Sequence, residues 1–162
     1  MRTFLQSVFA ILLMSTQSSH AQIGETLQQC EARYGSEIRR QTDGLKWFRQ
    51  AGFVIVIHFY EGRADRIWYA KGTSNTADVY NELSDIEIQS LLKRNSGDRQ
   101  WIAEDPMLPA KGWHLQDNSI YAQYTHLHNY LFVLTADSRN RLYEENRIDR
   151  VARTTAPPIK RH

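Results

Sequence analysis

The sequence predicts an α+β domain: an antiparallel sheet with two short amphipathic helices packed on one face. Three observations support this prediction. Two segments carry the start and stop residues of short helices, an almost wholly β-branched and aromatic run lies between them, and a second apolar, aromatic region follows. The order along the chain is therefore helix, strands, helix, strands.

A capping box predicts that the first helix starts after Thr26. The Thr26 hydroxyl can accept a hydrogen bond from the amide of Gln29, and the Gln29 side chain can return the bond. Cys30 and Tyr34 then recur at helical spacing, which gives the helix one apolar face. Gly35 is suited to the left-handed conformation that ends many helices.

The second helix is predicted in the same way, from a capping box between Ser84 and Glu87. Leu83, just before the cap, can pack against Ile88 in the first turns as a hydrophobic staple. Gly97 lies just beyond the predicted end. The buried stripe of this helix consists of Ile88, Leu91 and Leu92.

Runs of β-branched and aromatic residues predict the strands. Residues 52–60 (GFVIVIHFY) are apolar on both faces, as in a central strand, and the turn pair Glu61 and Gly62 leads into a second strand over residues 63–71. Residues 45–50 are expected to pair on the other side of the central strand. The second β region comprises residues 112–115, 119–125 and 130–135, with a hairpin turn near residues 127–129.

The two halves of the chain have a similar order of elements. Thr26 and Ser84 are 58 positions apart, and each helix is followed by a tryptophan, Trp47 or Trp101, and by a hairpin. One interpretation is a tandem repeat of two degenerate α-β-β units. The other is chance similarity, because the two halves share little identity.

Residues 1–21 have the three parts of a cleaved secretory signal. Arg2 supplies a positive start, residues 4–14 form an apolar run, and residues 19–21 (SHA) resemble an A-x-A cleavage site. The apolar run is shorter than the roughly 20 residues that span a bilayer. We therefore expect a periplasmic or secreted protein without an integral membrane segment in its mature chain.

Charge divides the expected mature chain at residue 138. Residues 22–138 carry a net charge of −3 and residues 139–162 a net charge of +4. We expect the first part to form the α+β domain and the second a basic, disordered tail, because the apolar alternation ends there. A further helical turn within residues 139–153 is the alternative. Contact of this tail with anionic lipid, nucleic acid or an acidic partner is the alternative to a solvated terminus. Nucleic-acid binding is not expected of the domain itself, which is net negative.

Cys30 is the only cysteine, so an exported domain has no internal disulfide to stabilise it. Its place on the apolar face of the first helix favours a buried, small hydrophobic side chain. An intermolecular disulfide or a redox role is the alternative. A thiolate nucleophile is disfavoured because the neighbouring residue is the acidic Glu31.

Motifs that carry chemistry are almost absent from the sequence. There is no G-x-S-x-G, H-E-x-x-H, C-x-x-C, phosphate-binding loop or dinucleotide glycine pattern, so we expect no cofactor and no catalysis. His126 and His128 would share one face of a strand and could hold a metal, with a third ligand from His114, Asp117 or His58. A metal-dependent exported enzyme is therefore one hypothesis. Two polar residues in a hairpin turn are the alternative.

Aromatic residues are the candidates for a binding surface. Trp101 and Trp113 flank a loop with two prolines, which they either pin to the domain or present as a recognition surface. Trp68 and Tyr69 are the candidates on the sheet. We expect a domain that binds another envelope or secreted protein, with the oligomeric state left open. An inhibitor of a secreted enzyme is the narrower alternative.

Residues 23–35 (IGETLQQCEARYG) resemble the opening of small exported domains of the BamE (SmpA/OmlA) kind. In that family a G-x-T helix start and a Y/L-G stop lead into an antiparallel hairpin, whose F-x-D/N-G-R/K turn is similar to residues 59–63 (FYEGR). The β-lactamase-inhibitor-like fold, with two such α-β units in tandem, is similar in plan, as are exported bacterial proteins with an IGET…C…RYG opening. The resemblance implies the fold and no catalytic or binding residue. BamE-type proteins are lipidated on an N-terminal cysteine that this chain lacks.

Overall fold

The computed structural model describes residues 22–40, 44–72, 80–105 and 110–155, which form an α+β fold as predicted. The predicted secretory signal, residues 1–21, lies outside the described residues. The two predicted helices and all the predicted strands are present, together with two short edge strands and a third helix. The elements are α1 (Leu27–Tyr34), β1 (Arg39–Arg40), β2 (Leu45–Gln50), β3 (Phe53–Tyr60), β4 (Arg63–Lys71), α2 (Asp85–Ser96), β5 (Trp101–Ala103), β6 (Lys111–Leu115), β7 (Ile120–Thr125), β8 (Tyr130–Thr135) and α3 (Ala136–Thr155).

The eight strands form one antiparallel sheet in the order β1-β2-β3-β4-β8-β7-β6-β5. This order is symmetric about the centre. Each half is a four-stranded meander preceded by a helix, and the last strands of the two halves pair with each other, with Trp68 opposite Phe132. The repeating unit is therefore α-β-β-β-β rather than the predicted α-β-β. Its origin by duplication stays a prediction.

Tight turns join β2 to β3 and β3 to β4. Ala51 and Gly52 have φ values of 50° and 82°, and Glu61 and Gly62 have φ values of 50° and 76°. Positive φ at both central residues is characteristic of a type I′ turn, whose twist matches that of the flanking strands. Glycine at the second position adopts this conformation without the steric cost that a Cβ atom brings. These two turns therefore fix the register of the first three long strands, and the pair Glu61 and Gly62 was predicted from the sequence.

Both predicted capping boxes are present. The Thr26 hydroxyl accepts from the Gln29 amide at 3.3 Å, and Gln29 Oε1 accepts from the Thr26 amide at 2.8 Å. Ser84 and Glu87 repeat the arrangement at 3.3 and 2.8 Å. Each box satisfies two of the amides that a helix start leaves without a partner.

Glu87 makes the stability of the α2 cap depend on pH. A hydrogen bond from Lys71 Nζ, followed by one from the Ser84 amide, lowers the pKa of Glu87 from 4.5 to about 2. Because the pKa is lower in the folded state, ionised Glu87 stabilises the fold above about pH 4.5, and this contribution is lost as the pH falls toward 2. We expect Glu87→Gln to be less stable than the wild type at neutral pH and to lose less stability between pH 4.5 and pH 2.

Ser84→Ala removes the hydroxyl that caps α2 and is expected to lower the free energy of unfolding by about 1 kcal/mol, measured by urea unfolding.

Urea unfolding of the wild type and of Glu87→Gln at several pH values tests the pH dependence. The two curves of unfolding free energy against pH should converge toward pH 2. Parallel curves for the wild type and Glu87→Gln would show that the Lys71 and Ser84 contacts with Glu87 do not stabilise the ionised carboxylate.

The main core lies between the sheet and the two predicted helices. Cys30 of α1 and Leu92 of α2 belong to the same cluster of buried side chains, together with Ile55 of β3. The neighbouring residues Val54 and Val56 belong to a second, smaller cluster on the opposite face. Helices α1 and α2 therefore pack on one face of the sheet, as predicted, and the other face is organised separately.

Helix α3 corrects the prediction of a disordered tail that begins at residue 139. The chain passes directly from β8 into this helix, and the Thr135 hydroxyl caps it by accepting from the Ser138 amide at 3.1 Å. The prediction failed because α3 is mostly polar and lacks a continuous apolar stripe, the feature by which helices are recognised in a sequence. No helix in the described part of the chain is long and apolar enough to cross a membrane. Residues 156–162 of the predicted tail lie outside the described residues.

Candidate interaction face

The candidate site is the face of the sheet opposite α1 and α2, which we call the outer face. It carries three groups of side chains, contributed by strands of both halves and by α3. The apolar groove is lined by Trp47, Val54, Val56, Trp68, Tyr80 and Tyr130. The Asp65 cluster comprises His58, Tyr60, Asp65, Arg66 and Arg141. The α3 cleft lies between α3 and strands β7 and β8, and Glu104, just after β5, also lines it.

A row of large side chains crosses the outer face from one half of the sheet to the other. Trp47 lies opposite Val56, Val56 opposite Trp68, and Trp68 opposite Phe132. The Trp68 and Phe132 rings stack with centroids 4.7 Å apart, and the Arg39 guanidinium lies 5.1 Å from the Trp47 ring centroid. Directly opposed residues on neighbouring strands are close enough to pack against each other. We call these five residues the aromatic row.

The apolar groove lies beside the aromatic row and has a volume of about 200 Å³. Its lining atoms are almost all apolar. Trp68 is half-buried, whereas Val54 and Val56 at the floor are buried. A groove of this kind can accept one or two apolar side chains from a partner.

A β-bulge between β3 and β4 places Asp65 on the outer face. The register shifts between His58 and Phe59, so two residues, Asp65 and Arg66, separate the inward-facing Ala64 and Ile67. A bulge adds one residue to a strand and in this way redirects a side chain. As a result both Asp65 and Arg66 contact His58 on the outer face.

Asp65 holds α3 onto the sheet. Its carboxylate lies 2.6 Å from His58 Nδ1 and accepts a hydrogen bond from Arg141 of α3. Arg66 Nη2 lies 3.2 and 3.1 Å from the two ring nitrogens of His58, and the Arg141 guanidinium lies 3.8 Å from the Tyr60 ring centroid. Because the Asp65 side chain is only 8% exposed, its charge is balanced by these cations and not by water. The geometry is that of a structural clamp, and both nitrogens of His58 have neighbours within it.

The α3 cleft has a volume of about 260 Å³. Its sheet side includes Tyr121, Phe132 and Leu134, and its helix side includes Arg139 and Leu142. Phe132 therefore belongs both to the aromatic row and to this cleft. The outer face is thus one continuous surface that extends from the apolar groove to α3.

Three of the four predicted binding residues do not lie on the outer face. Tyr69 is fully buried and Trp113 is 9% exposed, both in the main core. Trp101 packs against the same core, and its indole N–H donates to the Leu92 carbonyl at 2.8 Å. Only Trp68 belongs to the outer face. The prediction was wrong for the Trp101–Trp113 surface because strand alternation turns both indoles inward, where they hold β5 and β6 against α2.

His126 and His128 lie in the turn between β7 and β8. His126 Nδ1 is 3.3 Å from Glu82 Oε1, and its ring meets Tyr124 edge-on at 4.8 Å, whereas His128 stacks on Tyr130 at 5.8 Å. Among the residues that the structure describes, no group of three or more His, Cys, Asp or Glu side chains could hold a metal ion. The two histidines therefore lie in a hairpin turn, which was the alternative to their sharing one face of a strand. The metal-dependent enzyme stays a hypothesis, which metal analysis of the purified protein can test.

The side chains expected to supply a third metal ligand have other partners. His58 is bonded to Asp65 in the clamp, 2.6 Å away. Asp117 forms an ion pair with Arg99 at 3.1 Å. His114 Nδ1 lies 3.0 Å from the carbonyl oxygen of the next residue.

Cys30 is a buried residue of the main core, as predicted. Burial, followed by the negative charge of Glu25, raises the pKa of its thiol from 9.0 to about 12. The side chain is therefore a neutral thiol at physiological pH. An intermolecular disulfide would require Cys30 to leave the core first.

Comparisons with known proteins place the chain in no family. No protein-family model matches it, and no curated protein is significantly similar to it. Two solved structures with partial likeness are a cysteine-rich secretory protein from Staphylococcus aureus subsp. aureus Mu50 (TM-score 0.39, 12% identity) and an extracellular protein containing an SCP domain from Bacillus anthracis str. Ames (TM-score 0.37, 10% identity). Each match covers 72% of this chain and 45% of the other, so the chain spans less than half of either protein. Likeness of this degree carries no argument about function.

Proposed function

We propose that this chain is an exported, non-enzymatic interaction domain that binds another envelope or secreted protein through the outer face of its sheet. The observation that carries the proposal is the aromatic row beside an apolar groove of about 200 Å³. Export rests on the secretory pattern of residues 1–21. No cofactor is required for this function.

The chemistry of the outer face supports a protein as the ligand. Large aromatic side chains contribute much of the affinity at protein interfaces, because they bury a large area with few rotatable bonds. The half-buried Trp68 supplies such area, and the buried Trp47 lies on the other side of Val56 and supports the row from below. Arg39, stacked on Trp47, adds a cation at the end of the row. The complementary partner surface is an apolar side chain flanked by a carboxylate.

The symmetric, two-unit sheet supports the narrower candidate, an inhibitor of a secreted enzyme. Two α-β units in tandem are the plan that the resemblance to β-lactamase-inhibitor-like proteins implies, and the strand order has this symmetry. An inhibitor is one kind of interaction domain, so the groove serves both candidates. The identity of the bound protein separates them.

Capture of partners from an extract tests the proposal. The chain 22–162 is immobilised, exposed to the envelope and secreted extract of its source, and the retained proteins are identified by mass spectrometry. We expect one stoichiometric partner, and we expect Trp68→Ala to lower its retention about tenfold or more. Trp101→Ala is the matched control, because Trp101 is also half-buried but packs against the main core.

Both variants are first checked by circular dichroism and thermal unfolding, and capture is measured where both are folded. Undiminished retention by folded Trp68→Ala, or an equal loss in both variants, would contradict binding through the outer face. A retained enzyme whose activity falls on equimolar addition of the chain would establish the inhibitor. An empty column at high loading would contradict the interaction domain itself.

A further inference from the structure

The α3 cleft contains two opposite charges that do not neutralise each other. Arg139 of α3 and Glu104, just after β5, both line this cavity of about 260 Å³. Among the residues that the structure describes, no ion pair joins either side chain to a partner. Arg139 is hydrogen-bonded to Tyr143 and Tyr121, which carry no opposite charge. A charged side chain that lines a cavity without an oppositely charged partner is a candidate for binding a ligand of complementary charge.

Aromatic rings position the Arg139 guanidinium. Its Cζ atom lies 4.0 Å from the ring centroid of Tyr121 and 5.6 Å from that of Tyr143. Cation–π contacts fix the orientation of a guanidinium without cancelling its charge. The planar fork of N–H donors suits the two oxygens of a carboxylate.

The lack of a side chain at Gly112 makes room for the Glu104 carboxylate. The Glu104 amide donates to the Gly112 carbonyl at 2.8 Å, which holds the two residues side by side. A Cβ atom at position 112 would come within 2.5 Å of Glu104 Oε2. A longer residue at position 112 would therefore move the carboxylate from its present place.

The rest of the cleft is suited to a small, partly apolar ligand. Phe132, Leu134 and Leu142 form apolar parts of its wall. Its volume is just below the roughly 300–1,000 Å³ of pockets for drug-sized ligands. A ligand with one anionic group, one cationic group and a short apolar part matches these walls in size and in charge.

We propose that the α3 cleft binds a free α-amino acid with an apolar side chain. Arg139 would receive the carboxylate, Glu104 the ammonium group, and the leucines of the wall the side chain. This inference goes beyond the proposed function and does not depend on it: the cleft and the apolar groove have no lining residue in common, and the charged residues of the cleft, Arg139 and Glu104, lie outside the aromatic row, with which the cleft shares only Phe132. Absence of a protein partner in the capture experiment would leave the prediction for the cleft unchanged.

Titration of the purified chain with leucine tests the proposal, by calorimetry or by NMR chemical shifts. Isocaproate, which lacks the ammonium group, and isoamylamine, which lacks the carboxylate, are the comparison ligands. We expect leucine to bind and each analogue to bind about tenfold more weakly or worse, because each leaves one charge of the cleft without its partner. A peptide with a C-terminal leucine, whose amino group is acylated, is expected to be as weak as isocaproate.

Variants of the cleft give the second readout. We expect Arg139→Gln and Glu104→Gln each to weaken leucine binding about tenfold. Gly112→Ala keeps both charges but displaces the carboxylate of Glu104, and is expected to weaken binding as well. The matched control is Arg147→Gln, an exposed α3 arginine that pairs with Glu144 and should leave the affinity unchanged.

Circular dichroism shows whether each variant is folded before its titration is compared. Lack of leucine binding by the folded wild type at millimolar concentrations would overturn the proposal. Equal binding of leucine, its analogues and the acylated peptide would overturn recognition of both charges. An affinity that falls as much in Arg147→Gln as in Arg139→Gln would place the ligand outside the cleft.

Discussion

Replacing Asp65 with alanine is expected to destabilise the folded state by about 3 kcal/mol. Removing one member of a buried ion pair leaves the other charge uncompensated, which costs roughly 3–5 kcal/mol. The lower end of this range applies here because the Arg141 side chain is 31% exposed and reaches some water. Arg66 and His58 would lose the same carboxylate. Helix α3 would lose its ionic contact with β4 at the same time.

Urea unfolding at neutral pH measures this loss, and protease cleavage within α3 reports whether the helix is released. Asp98→Ala is the matched control, because Asp98 is exposed in the turn after α2 and should change stability by no more than about 0.5 kcal/mol. An equally small change in Asp65→Ala would show that the clamp does not stabilise the fold.

A second substitution separates the effect of the uncompensated Arg141 charge from the effect of the other contacts that Asp65 loses. If the cost comes from the uncompensated guanidinium, adding Arg141→Met to Asp65→Ala should recover part of the lost stability. Buried ion pairs can often be replaced by apolar residues of similar volume at little cost. Strictly additive losses would instead assign the effect to Asp65 alone, through His58 and Arg66.

The parts of the fold that were predicted from the sequence depend on neighbouring residues. The capping boxes at Thr26 and Ser84 and the turn pair Glu61 and Gly62 are satisfied within a few positions of the chain. Helix α3 is held differently, since the ion pair between Arg141 and Asp65 spans 76 positions. A contact over this distance leaves no periodic pattern in the sequence.

The candidate site could be located only once the register of the strands was known. Trp68 and Tyr69 are adjacent in the sequence, and both were candidates for binding, but alternation places one on the outer face and the other in the main core. The aromatic row depends on the pairing of β4 with β8, which brings Trp68 opposite Phe132 across the two halves. The sequence therefore showed which types of residue were available for binding, whereas the order and register of the strands determined which of them share one surface.

Replacing Ile67 with alanine is expected to cost about 2–5 kcal/mol, because a fully buried aliphatic side chain is truncated and the surrounding core refills the space only in part. Ile67 lies opposite Val133 where the two halves of the sheet meet. Ile86→Ala is the matched control, since Ile86 on α2 is 83% exposed and should change stability by no more than about 0.5 kcal/mol. Urea unfolding of both variants measures the difference.

The shape of the Ile67→Ala unfolding curve bears on whether the two halves are separate folding units. One cluster of buried side chains contains residues of α1, of α2 and of strands from both halves, so neither half has a complete core without the other. We therefore expect a single cooperative transition, with tryptophan fluorescence and far-UV circular dichroism changing together. Two separated transitions would show that each unit folds alone. In that case the symmetric strand order would reflect two independent domains joined edge to edge, and the aromatic row would form only when both are folded.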